Sequence, residues 1–145
     1  AMLCDIRIAS DKAKFGMPFG KRGLIPDWGA TYFLPRLVGR SVAMELAITG
    51  QSFDAKKALQ IGFINQAVPA EELRQDVDDY CRVILENGPF SVMTAKQAMD
   101  LALESELDTA LEQEAHLQTR CYRSDDHREG VESFLEKRPA DFTGK

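Results

Sequence analysis

Apolar and polar positions along the chain change their period near Pro69. Residues 3–9, LCDIRIA, alternate after Leu3 with the two-residue period of a half-buried strand, and Asp11-Lys12 turn the chain toward AKFGMPF, a second short strand. Beyond the Pro26-Asp27-Trp28-Gly29 turn, residues 30–38 and 41–49 take the helical period, the latter with Val42, Ala43, Leu46 and Ala47 on one face. Gly39 and Gly50 are the stops of these helices. Ser52 or Asp54 caps a further helix over 55–60, and Gly62 releases the chain into FINQAV, a short strand ending at Pro69.

From Pro69 onward the pattern is helical. Leu73, Val77, Cys81, Ile84 and Leu85 form one stripe, Val92, Ala95, Met99 and Ala102 a second, and Leu107, Leu111, Ala115 and Tyr122 a third, separated by Gly88-Pro89 and Glu104-Ser105. A last helix is expected over 128–137, carrying Val131, Phe134 and Leu135. The organisation predicted is an α-rich α/β chain, with a small β-containing part over 1–69 and a helical part over 70–145. Stripes this narrow leave apolar surface uncovered, which fits assembly with other chains. A strand in the first ten residues presents unpaired N–H and C=O groups unless another segment supplies partners, so more chain is expected upstream. No internal repeat or low-complexity segment interrupts the pattern.

With 145 residues the chain has the size of one ordinary domain. Its 44% hydrophobic and 28% charged residues are those of a globular protein. No apolar run approaches the roughly 20 residues of a bilayer helix. The first residues, AMLCDIRIASDKAKFG, lack the pattern of a secretory leader, so the cytoplasm or another reducing compartment is expected. The net charge of −5 disfavours nucleic acid, which needs a basic surface, but not a polyanionic small ligand that meets local cations. Cys4, Cys81 and Cys121 are widely spaced and odd in number, which points to buried thiols and neither a disulfide framework nor a zinc site.

Asp27 is the sharpest candidate for chemistry. Pro26 fixes its own φ, Gly29 permits a tight turn and Trp28 supplies a large apolar wall, so the carboxylate stands at a helix entrance. Two readings fit. It is an N-cap, as Asp often is there, or it is a general base in an apolar pocket, where desolvation raises and the helix terminus lowers its proton affinity. His116 and His127 have no partners at metal-ligand spacing and read as exposed or capping residues. Lys137 and Arg138 are either a solvated helix end or a contact for phosphate.

CDIRIAS, then AKFGMPFGKRGLIPDWGATYFLPRLVGRSVAMELAITG, FDAKKALQIGFINQAVP and REGVESFLEKRPADF resemble, in that order, the C-terminal half of the enoyl-CoA hydratase/isomerase, or crotonase, family. The resemblance implies the end of a spiral of ββα turns carrying the active-site turn over 1–69, and C-terminal helices over 70–145 that mediate trimers, often paired into hexamers. It implies acyl-CoA thioesters as substrates, with coenzyme A as part of the substrate and no separate cofactor or metal. An enolate anion would be held by two backbone N–H groups, oxyanion-hole catalysis. Both donors belong to the upstream half of the family's chain.

The family's hydratases use two glutamates. One falls two positions ahead of Ala1; the other follows the proline of F-G-x-P-E, where this chain reads Phe15-Gly16-Met17-Pro18-Phe19. Phenylalanine cannot activate water. Some isomerases of the family instead carry an aspartate in a G-L-x-P-D turn, eight positions beyond that glutamate, and Asp27 occupies it. The pattern is most similar to the phenylacetyl-CoA pathway isomerases, which share the FTGK-type ending of Phe142–Lys145. The resemblance therefore implies that Asp27 shuttles a proton along an enoyl chain, with Phe19, Pro26, Trp28 and Gly29 around the substrate and Phe19 and Trp28 as a dry wall. Lys137 matches a lysine that contacts the CoA nucleotide. Gln118 lies near the place of an aromatic residue that stacks on adenine from a neighbouring subunit. A hydratase or decarboxylase, or an assembly module without chemistry, remain the alternatives.

Overall fold

The protein's structure, a computed structural model, describes all 145 residues. The chain divides into two compact units, Ala1–Asp78 and Asp79–Lys145.

The first unit contains strands β1 (Ile8–Ser10), β2 (Lys14–Gly16), β3 (Ser52–Asp54) and β4 (Gln66–Val68), helices α1 (Ala30–Val38), α2 (Arg40–Thr49) and α3 (Ala55–Gln60), and one 3-10 turn over Gly20–Arg22. β1 runs parallel to β4 with Ala9 opposite Ala67, and β2 runs antiparallel to β3 with Phe15 opposite Phe53. β1 thus pairs with the last strand of the unit and not with its neighbour β2.

β1 is shorter than the alternation of residues 3–9 predicts. Arg7 N donates to Asn65 Oδ1 and Asn65 N to Arg7 O, both at 2.8 Å, so a side chain replaces the ladder at this point. Ahead of it Cys4 N closes a turn onto Ala1 O at 3.1 Å, and Leu3 is exposed. β3 has no counterpart in the sequence reading. Its last residue, Asp54, also caps α3, accepting from Lys57 N at 2.8 Å as expected.

The core of this unit joins Met17, Leu34, Ala43, Leu46, Ala55, Ala58, Phe63 and Ile64. Phe15, Phe53 and Phe63 close one side, with ring centroids 5.3–5.6 Å apart in stacked and edge-on pairs. The small Ala55 and Ala58 face of α3 is fully buried, which lets its backbone approach the sheets.

The second unit holds α5 (Pro89–Ala102), α6 (Leu107–Tyr122) and α7 (Asp125–Glu136); α4 (Leu73–Leu85) begins before the boundary and ends after it. α5 starts at Pro89, whose missing donor costs nothing in the first turn. α7 starts three residues earlier than predicted, because Ser124 Oγ accepts from His127 N at 3.0 Å and caps it at that point. Gly88, Thr94, Leu117, Asp126 and Ser133 are the buried residues here. Leu107, Leu111, Tyr122 and Met99, the longer members of the predicted stripes, stand more than half exposed. The expectation of buried thiols is corrected too: Cys4 and Cys81 are exposed and Cys121 is half-buried. Cys81 shares its stripe with Leu85, which is itself exposed, and α4 buries no residue. No helix is long and apolar enough to cross a membrane.

Candidate active site

Gly23, at φ 68°, ends the 3-10 turn and lets residues 24–26 run out from the core. The backbone carbonyl of Phe19 anchors this loop, accepting from Arg22 N at 2.9 Å and Leu24 N at 3.1 Å. The loop ends in a tight turn in which Asp27 O accepts from Ala30 N at 2.9 Å. Trp28 and Gly29, its central residues, have φ of 52° and 80°. Positive φ at both centres defines a type I′ turn, and a bulky residue adopts it only under constraint.

Gly29 is required at its position. A Cβ there would stand 3.0 and 3.1 Å from the ring of Phe33. Its carbonyl also accepts from Tyr32 N and Phe33 N at 3.0 Å, so the turn leads directly into α1. The helix has Gly29 as its N-cap with no side-chain bond. The capping reading of Asp27 is therefore replaced: its carbonyl closes the turn, and its carboxylate stands exposed and uncommitted to the helix.

Beside this turn, α1 and α2 with Leu24, Ile25 and Pro26 enclose an apolar groove of about 580 Å³. Ala30, Leu34 and Ala43 are its buried residues; Ile25, Met44 and Ile48 are exposed along it, and Arg40 is its one charged residue. Of the residues singled out in the sequence, Pro26 alone lines it. Phe19 packs half-buried against the core, whereas Trp28 is 92% exposed. A ring that open walls nothing, so within this chain Phe19 and Trp28 do not enclose the Asp27 carboxylate.

In the second unit, Lys137 ends α7 at φ 55° and ψ 42°. Trp28 and Lys137 are the two non-glycine residues of the chain at positive φ, and both were singled out in the sequence. Phe134, three residues before Lys137, is 81% exposed at the same helix end. Its carbonyl accepts from Lys137 N at 3.3 Å. An apolar residue near the close of the helix was visible in the sequence, but its exposure was not.

Two carboxylates escaped the sequence reading. Burial acts to raise the proton affinity of Asp126, but hydrogen bonds from the backbone N–H groups of Gly144, Thr143, Phe90 and Lys145 outweigh it and hold the group below the usual carboxylate value. Glu129 is held down to about 2 by side-chain hydrogen bonds from Arg138 and a backbone one from Asp141. Arg138 is correspondingly raised, first by Glu129 and then by Glu136. His116 and His127 are exposed, and no group of three His, Cys, Asp or Glu side chains is arranged to hold a metal.

The sequence profile described as enoyl-CoA hydratase/isomerase matches residues 1–145. The chain belongs to the enoyl-CoA hydratase/isomerase family. Among its relatives are a crotonyl-CoA hydratase of Syntrophomonas wolfei, 39% identical over 145 residues that make up 100% of this chain and 56% of the relative. A 1,2-epoxyphenylacetyl-CoA isomerase of Escherichia coli is 44% identical over 141 residues, 97% of this chain and 54% of the relative. The crystal structure of an enoyl-CoA hydratase from Bacillus anthracis superimposes with a TM-score of 0.97 at 33% identity, over 99% of this chain and 56% of that one. The fold is thus the α/β fold of the crotonase family, as the resemblance implied. The chain spans about half the length of these relatives.

Proposed function

We propose that the protein to which this chain belongs is an enoyl-CoA isomerase that shifts a double bond in a CoA thioester through an enolate, with Asp27 as the proton shuttle. The observation that carries the reading is a paired one: Phe15-Gly16-Met17-Pro18 is followed by Phe19, where the resemblance places the hydratases' glutamate, and Asp27 stands in a constrained turn beside an apolar groove.

A carboxylate at Asp27 takes a proton from a carbon of the enoyl chain, and the electron pair moves into the thioester carbonyl as an enolate. The resulting carboxylic acid then returns the proton to a carbon two positions along, so no water or other reactant is consumed. A positioned base or acid of this kind is worth about 10²- to 10⁴-fold in rate. The enolate oxygen needs preorganised N–H donors, which the family supplies from its upstream half. The acyl chain lies against Pro26 and the apolar residues of the groove, Phe19 and Trp28 face it once the remaining half of the fold is in place, and Gly29 sets the turn that delivers the carboxylate.

Lys137 contacts a phosphate of the CoA nucleotide. The exposed ring of Phe134, and not Gln118, offers the stacking face for adenine. The active assembly is a homo-oligomer, a trimer or hexamer built through the exposed stripes of the helical part, and it works in the cytoplasm. A place in phenylacetate degradation is supported by the 44% identity to the epoxyphenylacetyl-CoA isomerase.

A second reading, hydration, is favoured by the name of the crotonyl-CoA hydratase relative. The Asp27→Asn variant of the protein as naturally expressed decides between them. With 3-enoyl-CoA as substrate, loss of at least about 10²-fold in isomerisation is expected, with no hydration of crotonyl-CoA in the parent protein. Isomerisation that survives the substitution ends the assignment, and hydration by the parent establishes the second reading.

A further inference from the structure

α7 closes with the pair of hydrogen bonds that ends many helices: Lys137 N donates to Phe134 O at 3.3 Å and Arg138 N to Ser133 O at 3.1 Å. Glycine is the usual residue at the left-handed position of this closure, because a Cβ there crowds the following carbonyl. Lys137 occupies that position. A strained residue persists only where its surroundings determine it.

The surroundings are supplied by the next residues. Arg138 Nη1 and Nη2 donate to Glu129 Oε1 and Oε2 at 2.5 and 3.0 Å, and Arg138 Nε donates to Glu136 Oε2 at 2.6 Å. Glu129 Oε1 also accepts from Asp141 N at 2.7 Å. Further along, Asp126 Oδ1 accepts from Thr143 N at 2.8 Å and Gly144 N at 2.9 Å, while Lys145 O accepts from Asp125 N at 2.7 Å and Asp126 N at 3.1 Å. Residues 138–145 therefore fold back along α7 from its last turn to its first. Phe142 lies under this strap, 3.5 and 3.6 Å from where a Cβ on Gly88 and on Gly130 would stand.

We infer that Glu129 is a positioning residue for CoA binding: by gripping Arg138 and Asp141 on either side of the reversal, it fixes Lys137 in the left-handed conformation and so sets the place of its ammonium at the end of α7. The inference rests on the reading of Lys137 as a phosphate contact. A planar two-point grip suits this task, because the guanidinium fork and the carboxylate fix each other's orientation as well as their distance. Without it the segment after Glu136 regains backbone freedom, and the nucleotide must order Lys137 on binding.

Calorimetric titration of the protein as naturally expressed, with acetyl-CoA and with acetyl-pantetheine, which lacks the nucleotide, tests this. Glu129→Gln should raise the Kd of acetyl-CoA about 5- to 30-fold, the equilibrium cost of ordering one residue's backbone, and leave that of acetyl-pantetheine unchanged. Arg138→Lys keeps the charge but cannot bridge both carboxylate oxygens, so it should repeat the pattern if the first variant fails to fold. An equal loss for both ligands, or no loss in either variant while Lys137→Ala weakens acetyl-CoA, overturns the positioning role and leaves the Lys137 reading standing. An unchanged acetyl-CoA Kd in Lys137→Ala, or no binding by the parent protein, removes the reading and the inference together.

Discussion

The ring of Phe33 lies 3.0 Å from the point where a Cβ on Gly29 would stand, and Gly29 itself is at φ 80°. Contact and conformation both demand glycine, so the position of Asp27 depends on a residue with no side chain. Gly29→Ala should lose about 1–3 kcal/mol of stability in urea unfolding, the range for a left-handed residue forced on a side chain. A change under about 0.5 kcal/mol means that the turn relaxes without it.

The turn at Asp27 was legible because its determinants are local. Pro26, Gly29 and the helical period after Ala30 are adjacent in the chain, and so are Asp54 with α3 and Pro89 with α5. What escaped is what distance decides. β3 is three residues long and exists because Phe53 meets Phe15 across 38 positions, which no local period encodes. The strand read over residues 3–9 shortens for the same reason, at the Arg7 and Asn65 exchange. Asp126 has no local signal, because its partners are the backbone donors of Phe90 and of the tail residues, which carry no sequence signature. The site was legible as residue types at the positions the resemblance implies, and not as an enclosure, since Trp28 is in solvent.

Gly130 stands inside α7, where glycine is a poor helix former. A Cβ there would meet only Phe142, at 3.6 and 3.8 Å, which is ordinary contact. Gly130→Ala should therefore stabilise the chain by about 0.5–1 kcal/mol, read as a shift of the urea midpoint at unchanged slope. Destabilisation instead would show that Phe142 has less room than the structure gives it.

Acid should loosen the strap over α7. The folded-state values of Asp126 and Glu129 both lie below their ordinary ones, Glu129 falling from 4.5 to about 2. Groups depressed in this sense contribute stability that is complete above their unfolded values and is lost as pH falls through the folded ones. Protection of the Asp141, Thr143 and Gly144 amides, corrected for intrinsic exchange, should hold above about pH 4.5 and decline from there toward about pH 2. In Asp126→Asn and Glu129→Gln the corresponding part of that decline disappears. Protection that is flat across this range in the parent chain would mean that the strap is held by Phe142 and not by the carboxylates.

Lys137 sets stability against binding. A left-handed residue with a Cβ costs about 1–2 kcal/mol, and glycine relieves it while adding about 0.5–1 kcal/mol of chain entropy to the unfolded state. Lys137→Gly should therefore gain roughly 0.5–1 kcal/mol in urea unfolding, by the difference of those two terms. The same variant should bind acetyl-CoA more weakly, since the ammonium is gone, and so should Lys137→Ala, which keeps the strain and gains nothing in stability. The comparison separates the two roles of the position. If glycine fails to stabilise, the Glu129 and Arg138 grip already absorbs the strain in the folded chain. If it stabilises without loss of acetyl-CoA affinity, the lysine is no phosphate contact, and its left-handed conformation is only the way this helix ends.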